Sequence, residues 1–436
     1  MTDATRLPDR PPFSIRARLL TPLDAGGSRF ERDATLRVDE RGRISEITTA
    51  AAQDALDLRP MLLLPGMVDL HAHLPQLPNA GLGAGLDLLT WLERYIFPLE
   101  RDFSAEMAAN LAPRAFQAFA AAGSTTVVLY GAVYQASIET AFAAAEAYGI
   151  RAVIGKVMMD RLRYDPLVAD SDVLDRSLRE SAELIERWDC RDDGRLRYAV
   201  TPRFAVSCSA DMLRESAALA ASTQTYWQTH LAEDQREIAE VERLFPDSLD
   251  YTDVYDRAGG LGSKAILAHA VHLSDREVGR LAATSSNVVH CPASNLFLAS
   301  GAMPLGRYLE MGLIVGLGSD VAAGPDLSLF GAMRAGAYTQ NGRRAMLGDP
   351  QPALGPLDWL RLGTLSGARA LGQQDSIGSL ELGKEADLIL VDPGLTAPLP
   401  GADVDEPEEL MSRLIFRSHP DMVRAAWVRG RRLTTA

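Results

Sequence analysis

Hydrophobic positions change their spacing twice along the chain. Over residues 13–20 and 34–38 apolar and polar residues alternate, and Gly26-Gly27 and Arg41-Gly42 interrupt them, as in short strands joined by turns. The same style returns at residues 377–392 and 422–433. Neither end can bury a core alone, so the two are expected to pack together as one small β-sandwich. Between them stand eight compact apolar runs, at 62–73, 124–130, 151–158, 196–204, 225–231, 265–271, 287–291 and 313–320. Stretches with helical periodicity separate most of them, at 105–122, 136–148, 173–188, 210–222, 235–244, 275–283 and 304–311, and 327–338 follows the last. Eight strands alternating with helices predict an α/β fold, a (β/α)8 TIM-type barrel, with its site at the C-terminal strand ends. The expected division is 1–61 and 376–436 for the two parts of the sandwich and 62–375 for the barrel. No internal repeat or low-complexity segment competes with this reading.

Composition narrows the class without changing the fold. With 436 residues, 47% hydrophobic and 23% charged, the chain reads as a globular protein large enough for one barrel and an appendage. A net charge of −14 argues against nucleic acid or an anionic membrane as its main partner. Cys190, Cys208 and Cys291 form neither a disulfide framework nor a CxxC metal site, which fits a reducing cytoplasm. There is no N-terminal signal pattern and no apolar run long enough to span a bilayer, so a cytoplasmic protein is expected.

The chemistry gathers at the ends of the apolar runs. Successive side chains on a strand alternate, so His71 and His73 point the same way and make half of a metal site. The plain alternative, a polar pair on a solvated face, sits poorly with the apolar residues 62–68 before it. Asp69 is a candidate acceptor for an imidazole N–H, and Gln76 follows where the chain leaves the strand. Arg203 and Phe204 end the fourth run, His230 the fifth, His269 the sixth, His290 the seventh and Asp320 the eighth. His71, His73, His230 and Asp320 are a donor set suited to zinc, with iron(II) or another transition ion as the alternative. Glu233, three residues beyond His230, is placed for general acid–base work; its plain reading is an acidic residue at a helix N-terminus. His269 is equally readable as a satisfied core histidine. His272 reads as a loop residue, His290 as an organiser of the barrel mouth and His419 as surface. Gly316 and Gly318 lack the dinucleotide fingerprint, and the zinc pattern of deaminases acting on bases in nucleic acid is absent.

These residues carry a resemblance. The segments PGMVDLHAHLPQ, LLTWLERYIFPLE, GKVMMD, TPRFAVSCS, THLAEDQREI, YTDVYD, LAHAVHLS, HCPASNLFLASG and GLGSDV resemble the amidohydrolase superfamily and, within it, the guanine deaminases. The resemblance implies hydrolytic deamination of guanine to xanthine and ammonia. It implies zinc on His71, His73, His230 and Asp320, and a proton shuttle at Glu233. It further implies assistance from His269 at the attacking water, with Asp320, and a grip on the base by Gln76, Arg203, Phe204 and His269. Superfamily members with two metals commonly bridge them with a modified lysine at the end of the fourth strand. Here that run ends Thr201-Pro202-Arg203-Phe204, and lysine occurs only at 156, 264 and 384, so one zinc per subunit is expected. A homodimer is carried over from the family as well. Two mouth loops, 131–134 and 321–325, depart from the family pattern. They leave open a related amino-substituted heterocycle such as a pterin, oxidised purine or triazine, or ring-opening amide hydrolysis. A non-enzymatic barrel is the remaining reading, disfavoured by the complete ligand set.

Overall fold

The computed structural model describes residues 7–50, 54–165 and 169–433, so the expected outer limits at 1 and 436 lie outside the described residues. Four strands open the chain: β1 (Phe13–Pro22), β2 (Ser28–Val38), β3 (Ile44–Thr48) and β4 (Leu56–Pro65). Then come β5 (Met67–His73), β6 (Ser124–Tyr130), β7 (Arg151–Gly155), β8 (Val157–Met158), β9 (Leu196–Pro202), β10 (Tyr226–Leu231), β11 (Ala265–His269), β12 (Asn287–His290) and β13 (Ile314–Leu317). The chain closes with β14 (Leu388–Val391), β15 (Val423–Val428) and β16 (Arg431–Leu433).

The two termini build one sheet, in the order β16-β15-β14-β4-β1-β2-β3. Its alternating residues serve two cores. Ile15, Leu36, Leu63, Leu388 and Trp427 pack together on one side, while Leu62, Leu64, Ile389, Ala426 and Val428 join the core of the barrel. The apolar run expected to start the barrel at 62 is therefore divided, and the boundary expected at 61/62 falls inside β4, where Leu63 pairs with Leu390. Gly66 makes the crossing. Its N–H donates to the Asp387 carbonyl at 3.0 Å, and a Cβ there would lie 2.0 Å from Thr125 Oγ1, which leaves room for glycine alone. Below it, Arg151 joins barrel to sheet through buried ion pairs with Glu385 at 2.5 Å and Asp387 at 3.0 Å.

The remaining strands pair in parallel in the order β13-β12-β11-β10-β9-β7-β6-β5, with β8 set against β9. The circle closes from the last strand onto the first: the Asp320 N–H donates to the His71 carbonyl at 2.8 Å and the Ser319 N–H to Asp69 Oδ1 at 2.9 Å. Val68, Val128, Val153, Ala199, Ile266 and Val289, one from each of six strands, share an interior cluster with Ala368 and Leu371 at its base. Their alternates, among them Val127, Ile154, Val200, Leu267 and Val288, face the helices. This inside–outside division is that of a (β/α)8 barrel.

The expected strand at 151–158 breaks at Lys156, whose ammonium turns to Glu180, 3.2 Å away on the helix Val173–Trp188. The expected helices form, several with a hydroxyl or carboxylate capping their first turn, as Ser104, Ser209, Asp234 and Ser274 do. The last of them runs well past 338, to Leu347. Helices at Tyr251–Arg257, Pro356–Gly363, Leu365–Ala370 and Pro407–Phe416 were not expected. They are too short for a clear period, although proline at the first position of two of them is a start signal. Among the described residues no helix is long and apolar enough to cross a membrane.

Candidate active site

β5 delivers two histidines to one point by means of a bulge. Its register against β6 slips between Asp69 and Ala72, so Val68 and Leu70 stay in the apolar interior while His71 and His73 stand above them. Asp69 does not reach an imidazole. Its Oδ1 accepts the backbone N–H groups of His71 at 3.3 Å and Ser319 at 2.9 Å, tying the first strand to the segment that carries Asp320. His230 arrives from β10, His269 from β11 and Asp320 from the turn after β13; His269 and Asp320 are buried and His230 is half-buried. His269 and Asp320 have left-handed backbones, φ 71° and 46°, a conformation costly for residues with a Cβ and held here by the surrounding strand ends.

The distances describe a cluster of converging donors. His71 Nε2 lies 3.3 Å and His73 Nε2 3.7 Å from Asp320 Oδ1, and the Nε2 atoms of His73 and His230 are 3.2 Å apart. Burial pushes the pKa values of His73 and His230 well below the usual imidazole range, and His71 beside them adds to the effect. His230 Nδ1 lies 2.6 Å from the Arg203 carbonyl, which accepts only, so its proton sits there and a lone pair remains on Nε2. That lone pair points at a neighbouring ring nitrogen with no water-sized layer between them, and His71 Nε2 is buried without a hydrogen-bond partner. A divalent cation resolves all three features at once. The donors, three imidazoles and a carboxylate, fit zinc and its neighbours among the transition ions.

Beside the cluster lies Glu233. Its Oε2 is 3.4 Å from His269 Nε2, and its Oε1 accepts from the Ser300 hydroxyl at 3.1 Å. Burial, then the charge of Asp320, raises the Glu233 pKa well above the usual carboxyl range, so the group can hold a proton as well as take one. Asp320 is the opposite case: burial pushes it up, but His71 and His269 outweigh that and hold it low. His269 Nδ1 meets Asn295 Oδ1 at 3.0 Å, which leaves its Nε2 facing both carboxylates.

All of this opens into a cavity at the mouth of the barrel. His73, His230, Glu233, His269 and Asp320 line it together with Gln76, Arg203 and Phe204; Leu88, Trp91, Leu92 and Leu298 supply apolar surface. The nine residues singled out from the sequence thus converge, eight on the cavity wall and His71 within the cluster beneath it. Of the two divergent loops, 321–325 contributes Ala323 to the wall, whereas none of residues 131–134 lines it; Tyr134 turns to the Arg101 carbonyl. His290 is fully buried, its pKa pushed down to about 3 by burial and by His269, and His272 binds the Ser300 carbonyl at 2.7 Å. His419 is exposed and accepts the Asp421 N–H.

A model of the amidohydrolase family matches residues 62–433. The chain belongs to the amidohydrolase family. Members of this family generally use a divalent metal, in accord with the His/Asp cluster. The chain is 37% identical over 413 residues to a probable guanine deaminase of Deinococcus radiodurans, covering 91% of this chain and 92% of that one. It is 37% identical over 360 residues to the guanine deaminase of Escherichia coli, covering 82% and 79%. The guanine deaminase of C. acetobutylicum, solved with guanine in its active site, superposes with a TM-score of 0.90 at 28% identity, covering 97% of this chain and 100% of that one.

Within this amidohydrolase site, sequence reasoning passed over two residues. Asn295, read only as part of a mouth motif, fixes the His269 ring. Glu100 is wholly buried and touches both Gln76 and Arg203. Its signal was the segment LLTWLERYIFPLE, which ends on Glu100; the π-helical turn Leu92–Ile96 before the helix Phe97–Arg101 is visible only in the structure.

Proposed function

We propose that the chain is a metal-dependent guanine deaminase, converting guanine and water to xanthine and ammonia. One observation carries the reading: a cluster suited to a metal and a proton-holding Glu233 share one cavity with Gln76, Arg203 and Phe204, a polar pair and an aromatic ring suited to a flat heterocycle. The relatives named above support it.

His71, His73, His230 and Asp320 would hold the ion, and zinc, one per chain, is the ion proposed. When bound, it supplies Lewis acidity that makes water nucleophilic at neutral pH. Asp320 and His269, 3.8 Å apart, are placed to take a proton from the attacking water. Glu233 protonates the ring nitrogen next to the amine-bearing carbon, then takes up the proton shed by the added hydroxyl and passes it to the amine, so that the carbonyl forms and ammonia departs. The ring is held against Phe204, with Gln76 and Arg203 on its polar edge. Water adds at the carbon, the C–N bond breaks, and the ring carbonyl of xanthine replaces the amine. Ammonia release with the ultraviolet change of guanine to xanthine tests the reading; metal-loaded protein that yields neither overturns it.

A cytoplasmic homodimer completes the proposal. Free thiols at Cys190, Cys208 and Cys291 support the compartment. Exposed Tyr338, Met346 and Leu347 on one helix support an apolar contact between copies.

A further inference from the structure

Gln76 and Arg203 are not independent. Gln76 Nε2 donates to Glu100 Oε1 at 2.7 Å, and Arg203 Nη1 pairs with Glu100 Oε2, all three side chains buried. A carboxylate that balances a guanidinium has lone pairs and no proton to donate. The amide nitrogen is therefore the end of Gln76 that must face Glu100, and the amide carbonyl faces the other way. Gln76 Oε1 is buried without a hydrogen-bond partner, and Gln76 lines the cavity. Next to it stands Arg203, a guanidinium with five N–H groups and no acceptor, its Cζ 5.4 Å from the centre of the Phe97 ring.

We propose that Glu100 is a specificity-determining positioning residue: by orienting Gln76 and Arg203 it makes this wall an acceptor beside donors, the complement of a ring N–H next to a ring carbonyl. The inference rests on the guanine deaminase reading and deepens it, naming the lactam edge of the base as what is recognised. An amino group beside an unprotonated ring nitrogen reverses both positions and sets lone pair against lone pair and donor against donor. With the amine-bearing carbon fixed at the metal cluster, such a base cannot turn over to escape the mismatch. Glu100 acts through its two neighbours and touches no reacting atom.

Guanine and 2,6-diaminopurine test this, because both carry the amine to be lost and they differ in the edge alone. The metal-loaded wild type is expected to favour guanine in kcat/KM by roughly a thousandfold or more, the scale seen when buried polar groups meet the wrong partner. Glu100→Gln supplies an amide that can donate to Gln76, so the Gln76 amide is released to turn its nitrogen to the cavity. Its preference is expected to fall at least about tenfold, chiefly through a raised KM for guanine, with metal content unchanged. Glu100→Asp retains the charge opposite Arg203 but withdraws the oxygen from Gln76; it is expected to lose preference in the same direction and guards against misfolding of the first variant. A folded, metal-loaded variant of either kind with the wild-type preference overturns the role of Glu100 and leaves the deaminase reading intact. A wild type inactive on guanine overturns the deaminase reading, and this inference with it.

Discussion

His73 and His230 set their Nε2 atoms 3.2 Å apart in a buried site, and the proton of His230 is drawn to the opposite ring nitrogen by the Arg203 carbonyl. With His71 and Asp320 these nitrogens can hold a cation, whose binding would add to the stability of the fold. Chelation is expected to abolish ammonia release and lower the melting temperature, and zinc is expected to restore both. At a free metal concentration of about 100 times Kd the added stability is about 2.7 kcal/mol. Calorimetry with and without chelator measures it; identical melting curves would remove the cation from the cluster.

Glu233 is buried in the cavity lining, 3.4 Å from His269. Glu233→Gln keeps the shape and removes the proton exchange. Turnover should drop by roughly 10²–10⁴ while metal content stays at the wild-type level. Near-normal ammonia release from this variant would reassign the proton shuttle.

Asn295 holds His269 through Nδ1 at 3.0 Å. Asn295→Leu leaves the cluster donors in place but lets the ring rotate and change tautomer. A fall of roughly 10- to 100-fold in kcat is expected, the usual effect of losing a residue that orients a metal-site histidine. Steady-state kinetics beside metal analysis decides; a loss of metal equal to the loss of activity would place Asn295 in the ligand scaffold instead.

Arg203 and Glu100 should be strongly coupled in stability. Removing one member of a buried pair strands the charge of the other, so Arg203→Met and Glu100→Gln are each expected to cost about 3–5 kcal/mol, and the double variant less than their sum. Denaturant unfolding of the four proteins measures the difference. Strict additivity would show that the two charges do not compensate each other.

At the opposite end of the barrel, Arg151 balances Glu385 and Asp387 with almost no solvent contact. Arg151→Met should destabilise the protein by about 3–5 kcal/mol, because buried Asp387 loses its counterion while Glu385 is left with Arg429 at 2.8 Å. Ammonia release per folded molecule should be unchanged, since the site lies at the other ends of the strands. Parallel unfolding and activity assays separate the two effects.

Much of this protein was legible along the chain because much of it is local. Strand and helix periods depend on neighbours a few positions apart, so the eight apolar runs and the helices between them could be read directly, and with them the barrel. His71 and His73 converge because they are two apart on a strand, and the barrel rule sends His230, His269 and Asp320 to the same mouth. What depended on distant residues could not be read this way. The break at Gly66 exists because Thr125 and Asp387 press on it, and the bulge after Asp69 exists because β5 must satisfy both an apolar interior and two upward-facing imidazoles. Glu100 is the clearest case: 24 residues from Gln76 and 103 from Arg203, it becomes their common partner only when the chain folds. Pairing of buried charges is a property of three-dimensional proximity and low dielectric, with no period in sequence, so the tertiary structure alone decided which end of the Gln76 amide faces the cavity.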